Sequence, residues 1–395
     1  MQLIEVQDKN HIRSFLEMPV DLYKNEKNWI RPLNKDIEEV FDPEKNKLFK
    51  QKGKAIRWIL KNSSGQVIGR VAAFVNPKTV NKDNDQPTGG MGFFECINDQ
   101  KAANMLFDAC MNWLKAQGME AMDGPINFGD RDKWWGCLVD GFTEPNYCMP
   151  YNLPYYRQLF ENYGFKEYFK QYTYYRPIQA KLKDKIYEKA KRIIDNKDYS
   201  FRHLKVSQME KYAEDFRIIY NKAWIKHGGV SQMPKEQALN IMKKMKPVVD
   251  ETIVWFAYYK NEPIAFFIML PELNQIFKYF QGNFNPKNPY HLLKFLWYKN
   301  VVGTDKIFGV VFGVVPEHQG KGVESAIVVA YANVAHTPNY KYKFLEMNWI
   351  GDFNPKMMRV AEDVGGSIYK THITYRLLFD PQKQEHEFKR MKMIE

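Results

Sequence analysis

Residues 313–327 read Gly313-Val-Val-Pro-Glu-His-Gln-Gly-Lys-Gly-Val-Glu-Ser-Ala-Ile327, and three kinds of local structure meet there. An apolar strand, Ile307–Val315, ends at Pro316. A turn with Gly320 and Gly322 follows, and a helix from about Lys321 to Ala335 begins at once. Glycine reaches backbone conformations closed to other residues and lets a ligand approach the main chain. Unpaired N–H groups at a helix start, with Lys321 beside them, form a site for an anion such as pyrophosphate, and a plain Gly-Lys-Gly turn is the alternative. The loop matches neither the dinucleotide fingerprint G-x-G-x-x-G nor the longer nucleotide loop that ends G-K-[ST].

Working outward, the order of elements around this loop occurs twice. The first half reads as a strand near Leu3–Val6, helices to about Phe49, and strands Ala55–Lys61, Gln66–Asn76 and Met91–Ile97. A helix Asp99–Gln117, a strand near Glu120–Asn127, a helix Pro154–Tyr163 and an extended Phe165–Arg176 complete it. The second half repeats that order. It runs from strand Phe201–Val206 through helices in 208–227 and 234–246, and strands Thr252–Tyr259, Pro263–Leu270 and Ile307–Val315. The loop helix, strand Lys343–Trp349, helix Pro355–Val364 and extended Ser367–Phe379 follow. The strands are apolar on both faces, as in a sheet covered by helices on both sides. Four segments result: residues 1–177, a connecting basic helix in 178–200, residues 201–380 and a tail, 381–395. The expected class is α/β (α+β), two domains each with a mixed, mostly antiparallel sheet flanked by helices.

Composition narrows the function. The 395 residues are 45% hydrophobic and 26% charged, which fits a globular protein rather than a disordered one. The net charge of +12 asks for an anionic partner. The basic helix Lys181–Asn196 is interrupted by Asp184, Glu188 and Asp195, so a solvated connector is expected and nucleic acid is not. The N-terminus lacks the pattern of a signal peptide, and no apolar run reaches the length of a membrane span. Cys96, Cys110, Cys137 and Cys148 form no CxxC pair and do not cluster with histidine. Free thiols, no metal and a cytoplasmic location are expected.

The loop Gln319-Gly-Lys-Gly322-Val-Glu324 resembles the acetyl-CoA loop, [QR]-x-x-G-x-[GA], of the GNAT N-acyltransferase superfamily. Downstream, Met347-Asn-Trp-Ile-Gly-Asp-Phe-Asn354 and the helix closing at Gly365-Gly366 resemble that family's next strand, asparagine and helix. The resemblance covers roughly 200–380 well and 1–177 more weakly. It implies acetyl-CoA or another acyl-CoA as co-substrate and an amine acceptor, small molecule or peptide, that attacks the thioester directly. Val314 and Val315 would meet the pantetheine. Gln319, Gly320, Lys321, Gly322 and Val323 would hold the pyrophosphate, and Asn354 would open the helix beside the cofactor. Two departures stand out: Glu324 replaces a small residue, and Ala361 stands where many relatives place a thiolate-protonating tyrosine. Tyr369, Tyr375 and Tyr290 are the substitutes available. The first half has Glu95-Cys-Ile-Asn-Asp99-Gln-Lys101 at the equivalent junction. Without glycine and with an acidic cap, it reads as a degenerate copy that has lost CoA binding.

Candidates for acid–base work are Glu346, on the strand before Asn348, and His318 in the loop; a solvent-facing strand residue and an exposed loop residue are the plain alternatives. His291 is ambiguous in the same way. The long irregular segment 124–152 carries Trp134, Trp135, Tyr147 and Tyr151, with Tyr155 just beyond. Trp134, Trp135, Tyr151 and Tyr155 are candidate acceptor-binding residues, and a loop that packs the two domains together is the alternative. A non-catalytic tandem scaffold or sensor that binds CoA or another small molecule remains the rival to an N-acyltransferase. Oligomeric state is open.

Overall fold

In the first half, strands and helices alternate in the expected order. These are β1 (Gln2–Glu5), α1 (Lys9–Leu22), α2 (Asn34–Phe41), α3 (Lys47–Lys50), β2 (Lys54–Lys61), β3 (Val67–Val75) and β4 (Thr88–Cys96). Then come α4 (Gln100–Ala116), β5 (Ala121–Gly124), β6 (Cys137–Asp140), α5 (Tyr156–Tyr163) and β7 (Lys166–Pro177). The basic connector is α6 (Asp184–Ile194). After it lie β8 (Tyr199–His203), α7 (Met209–Trp224), α8 (Lys235–Met245), β9 (Val254–Tyr259) and β10 (Glu262–Pro271). The chain continues with α9 (Asn274–Phe277), α10 (Pro289–Trp297), β11 (Lys306–Val314), α11 (Val323–Ala335), β12 (Phe344–Gly351), α12 (Pro355–Asp363), β13 (Ser367–Leu378) and α13 (Pro381–His386). This computed structural model describes residues 1–82, 84–224 and 232–394, so the expected end of the 208–227 helix lies outside the described residues.

Helix α4 shows why these residues fold as they do. The Asp99 side chain accepts hydrogen bonds from the Lys101 and Ala102 N–H groups at its start, and Gly118 takes φ +80° just past its end. Between them Ala102, Leu106, Cys110 and Leu114 recur at helical spacing and are fully buried.

All strands join one sheet in the order β1-β2-β3-β4-β5-β13-β7-β12-β11-β10-β9-β8, with β6 pairing β13 at one side. Only β4–β5 and β11–β12 pair in parallel among the described residues. The last strand of each half crosses to the other: β13 pairs with β5, β7 pairs with β12, and the two run antiparallel to each other. Ile373, Tyr375 and Leu377 of β13 are therefore buried in the core of the first half, against Phe160 and Phe165. The exchange covers the free edges that β5 and β12 would otherwise leave. The core of the second half gathers Ile186, Ala190 and Ile193 of α6 with Val323, Ala326 and Ile327 of α11. The connector thus has a buried apolar face as well as a solvated one. All four cysteines are free and buried. Burial raises the Cys96 thiol to about 12.

Candidate functional site

In each half the two parallel strands separate after a short paired stretch and open a fork. In the second half β11 and β12 pair from Lys306↔Phe344 to Gly309↔Met347 and then part. A bulge against β10 leaves Val310 unpaired and exposed at the fork, although its strand is apolar. In the first half β4 and β5 part after Gly90↔Asp123, but that opening is filled. The Ile126 N–H donates to Met91 O at 2.8 Å, and a Cβ on Gly92 would stand 1.8 Å from Ile126 O. Asp99 also occupies the helix N–H groups that an anion would need there. The first half therefore differs from the second in both features.

The glycine loop closes the open fork. Gly320 and Gly322 take φ +69° and +101°, in the left-handed region that favours glycine, and Gly322 caps α11. Among the described residues the N–H groups of Lys321, Gly322 and Val323 donate to no protein acceptor. The Gly320 N–H donates to the Glu324 carboxylate at 3.2 Å, so this side chain folds back over the loop. The Gln319 side chain donates to Val314 O at 2.9 Å. The Val315 N–H donates to Ile264 O and its carbonyl accepts from His318, so its polar groups are already engaged; the N–H of Val314 points to the opposite edge of the strand. Asn354 caps α12 by accepting from the Met357 N–H at 3.2 Å. These groups fit an anionic cofactor tail along α11, with the Glu324 carboxylate in its first turn as an unfavourable charge.

Helix α6 runs beside the loop. A Cβ on Gly322 would stand 2.5 Å from Lys189 O, so this glycine also permits close packing of α6. Lys189 pairs with Asp363 at 3.2 Å. His318 rests its Nδ1 3.2 Å from the Tyr199 hydroxyl. Burial, and then the neighbouring Lys321, lower its pKa, so it is neutral near pH 7.

Beneath the fork is a buried ionic cluster. Glu346 sits on β12 opposite Phe308, one residue before the last parallel pair, and it is fully buried rather than solvent-facing. Its Oε2 lies 2.6 Å from Lys370 Nζ of β13 and accepts from Asn146 Nδ2 at 2.8 Å; its Oε1 lies 2.8 Å from Lys306 Nζ of β11. Burial opposes ionisation of Glu346, but Lys370 and Lys306 together outweigh it and hold the carboxyl below its usual range. Asn146 also donates to Asn348 at 2.8 Å.

The fourth charged member is Glu272, at the end of β10. Its Oε1 accepts from the N–H groups of Tyr147 and Asn274, at 2.9 and 2.8 Å, while its Oε2 has no hydrogen-bond partner among the described residues. Burial raises its pKa to about 7, against the lowering by these N–H groups and Lys306. Sequence reasoning missed Glu272. Its signal was a lone acid ending an apolar strand, which requires a partner if buried.

The remaining candidates lie elsewhere. Tyr375 packs against Phe160 in the core of the first half, with its hydroxyl 3.4 Å from Glu161, apart from the glycine loop. Tyr369 packs on Tyr175 with tilted rings, and Tyr290 is exposed on α10. Against Ala361 stands Tyr174 of the exchanged strand β7, hydrogen-bonded to Glu362 at 3.4 Å. Trp134 packs on Phe93, Trp135 lies under Arg131, Tyr151 donates to Glu26, and Tyr155 donates to Cys96 O. The segment 124–152 joins the two halves: Asn146 and Tyr147 reach the ionic cluster, and Asn274 donates to Pro145 O.

No family model matches the chain. It is 25% identical over 386 residues to Protein YghO of Escherichia coli strain K12, covering 93% of both chains. It is 24% identical over 380 residues to a bacterial ceramide synthase of Caulobacter vibrioides, covering 95% of this chain and 97% of that one. Among solved structures, a tandem GNAT protein from the clavulanic acid biosynthesis pathway matches 96% of this chain and 99% of its own, with TM-score 0.52 and 10% identity. The GCN5-related glucosamine N-acetyltransferase region of a fungal multi-domain β-N-acetylglucosaminidase matches 95% of this chain at TM-score 0.53 and 13% identity. This chain spans only 38% of that protein. The likeness establishes the fold, two GNAT-like halves in tandem.

Proposed function

We propose that this tandem GNAT-fold chain is an N-acyltransferase that moves a fatty acyl group from acyl-CoA to the primary amine of a long-chain amino alcohol. The observation that carries the reading is the open fork of the second half, which ends in a loop with unpartnered amides and stands over a buried ionic cluster. The full-length likeness to a bacterial ceramide synthase supports the acceptor class, because a ceramide is the amide of a fatty acid and a long-chain amino alcohol.

On this reading residues 201–380 bind acyl-CoA and residues 1–177 complete the sheet and the acceptor side. The amides of Lys321, Gly322 and Val323 and the Lys321 ammonium hold the pyrophosphate. The Val314 N–H meets the pantetheine. The amine attacks the thioester carbonyl in a ternary complex; the C–N bond forms, the C–S bond breaks, and CoA leaves as thiolate. The proton released by the ammonium goes to a base. Glu272 is better suited than Glu346, because it titrates near 7 with one oxygen unpaired while Glu346 is held ionised between two lysines. Four buried free thiols fit a reducing, cytoplasmic setting.

Incubation with a long-chain acyl-CoA and a panel of amines tests this. Free CoA and an amide of the summed mass should form with the long-chain amino alcohol. Acyl-CoA binding without CoA release from any amine would instead favour a scaffold or sensor, the reading that Glu324 over the loop supports.

A further inference from the structure

Between β10 and β11 the chain inserts residues 273–305, which sheet continuity does not require. The inner side of this insertion is a small apolar core: Phe295 of α10 is buried with Phe277 and Phe280, and Tyr298 stacks on Tyr279. The outer side of α10 and its last turn has no cover. Tyr290, Leu293, Trp297 and Val301 recur at helical spacing and are each about 60% exposed or more, with Leu292 and Leu296 at the margin. An apolar stripe of this kind on a folded protein marks an interaction surface.

Charge says which kind. Between Glu272 and Asp305 the sequence has four lysines, Lys278, Lys287, Lys294 and Lys299, and no acidic residue. Lys278 pairs with Glu144, while Lys294 and Lys299 donate to the backbone carbonyls of Tyr279 and Pro247. Pro247 lies just past α8, whose end exposes Lys243 and Lys244 with Lys246 next to them. Leucines with tryptophan and tyrosine, flanked by lysines and free of carboxylates, match an anionic lipid–water interface. Residues 289–302 as a helix would reach only about 21 Å, short of the roughly 30 Å of a bilayer core. No helix among the described residues is long and apolar enough to cross a membrane.

We propose that α10 and its final turn form a docking surface for an anionic phospholipid bilayer, lying in the interface plane rather than crossing it. The proposal does not depend on the acyl-transfer reading. It adds a geometric consequence: the insertion begins after Glu272 and ends before Lys306, two members of the buried cluster, so docking holds the fork close to the lipid surface.

Co-sedimentation of the full chain with vesicles tests the surface without any turnover. Wild type should partition onto phosphatidylglycerol vesicles at least ten-fold more than onto phosphatidylcholine vesicles, and release as salt rises. The double variant Leu293→Asp/Trp297→Asp should lose at least ten-fold of that partition with its thermal midpoint unchanged, since both side chains point outward. Lys243→Glu/Lys244→Glu should weaken binding to the anionic vesicles alone. Wild type left in the supernatant with both vesicle types overturns the proposal. So does light scattering that shows a dimer dispersed by Leu293→Asp/Trp297→Asp, because the face would then be covered by a second copy.

Discussion

Lys370 of β13 reaches past β7 to place its Nζ 2.6 Å from Glu346 Oε2 on β12, and both side chains are buried. The pair ties the exchanged last strand to the fork, and Lys306 completes the neutralisation of Glu346 from the other side. Removing Glu346 leaves two buried ammonium groups without their shared counter-charge, and removing Lys370 leaves the buried carboxylate to Lys306 alone. Glu346→Gln and Lys370→Met should each destabilise by about 3–5 kcal/mol in urea unfolding, and the double variant should lose clearly less than the sum. Additive losses would mean the two side chains do not interact as a buried pair.

Two buried groups near this pair should shape stability with opposite signs. Glu272, raised to about 7 by burial, favours the folded state while protonated, so its contribution is present below about pH 4.5 and fades as pH rises through 7. His372 is lowered to about 4 by burial, with its Nε2 3.2 Å from Pro150 O. Its neutral form belongs to the fold, so its contribution is present above pH 6.5 and is lost as pH falls toward 4. Glu272→Gln keeps an acceptor for the Tyr147 and Asn274 N–H groups and should flatten the upper limb of a plot of unfolding free energy against pH. His372→Phe should flatten the acid limb. Unchanged limbs in both variants would contradict these assignments.

Loop substitutions should separate packing from anion binding. Gly322→Ala places a Cβ against Lys189 O at φ +101°, so it should destabilise by about 1–3 kcal/mol from the backbone alone and also push α6 away. A Cβ on Gly320 meets nothing within 4 Å, so only its φ of +69° resists substitution. Lys321→Glu should weaken acyl-CoA binding with little change in thermal midpoint. Glu324→Ala frees the Gly320 N–H and removes a negative charge from the first helical turn; calorimetry should show about two- to five-fold tighter binding, from roughly 0.5–1 kcal/mol. Weaker binding by Glu324→Ala would assign that carboxylate to ligand recognition instead.

The sequence made some of this legible and hid the rest for physical reasons. Capping and spacing are local, so helix α4 with its Asp99 cap and the loop at Gly320 and Gly322 could be read directly. Strand pairing is not local. Residues 166–177 and 367–378 are both long and mix aromatic or aliphatic with charged and polar side chains, and nothing in either names the other as its partner or reveals the exchange that carries Tyr375 into the first half. The burial of Glu346 depends on lysines 40 residues before and 24 after it, brought in by two other strands. A carboxylate between Leu345 and Met347 was the available hint, because a central strand buries such a residue only with partners. The aromatic segment 124–152 was recognisable as special, but its Trp134, Tyr151 and Tyr155 contacts fall within the first half, while Asn146 makes the link to the cluster.

On the proposed function, acyl-CoA occupies the fork of the second half and not that of the first. Hydrogen exchange of the backbone amides with and without a long-chain acyl-CoA tests it most directly. Exchange should slow at residues 320–325 and along 310–314, with residues 96–103 unaffected. Slowed exchange confined to 96–103, or none at 320–325 under saturating ligand, would contradict it.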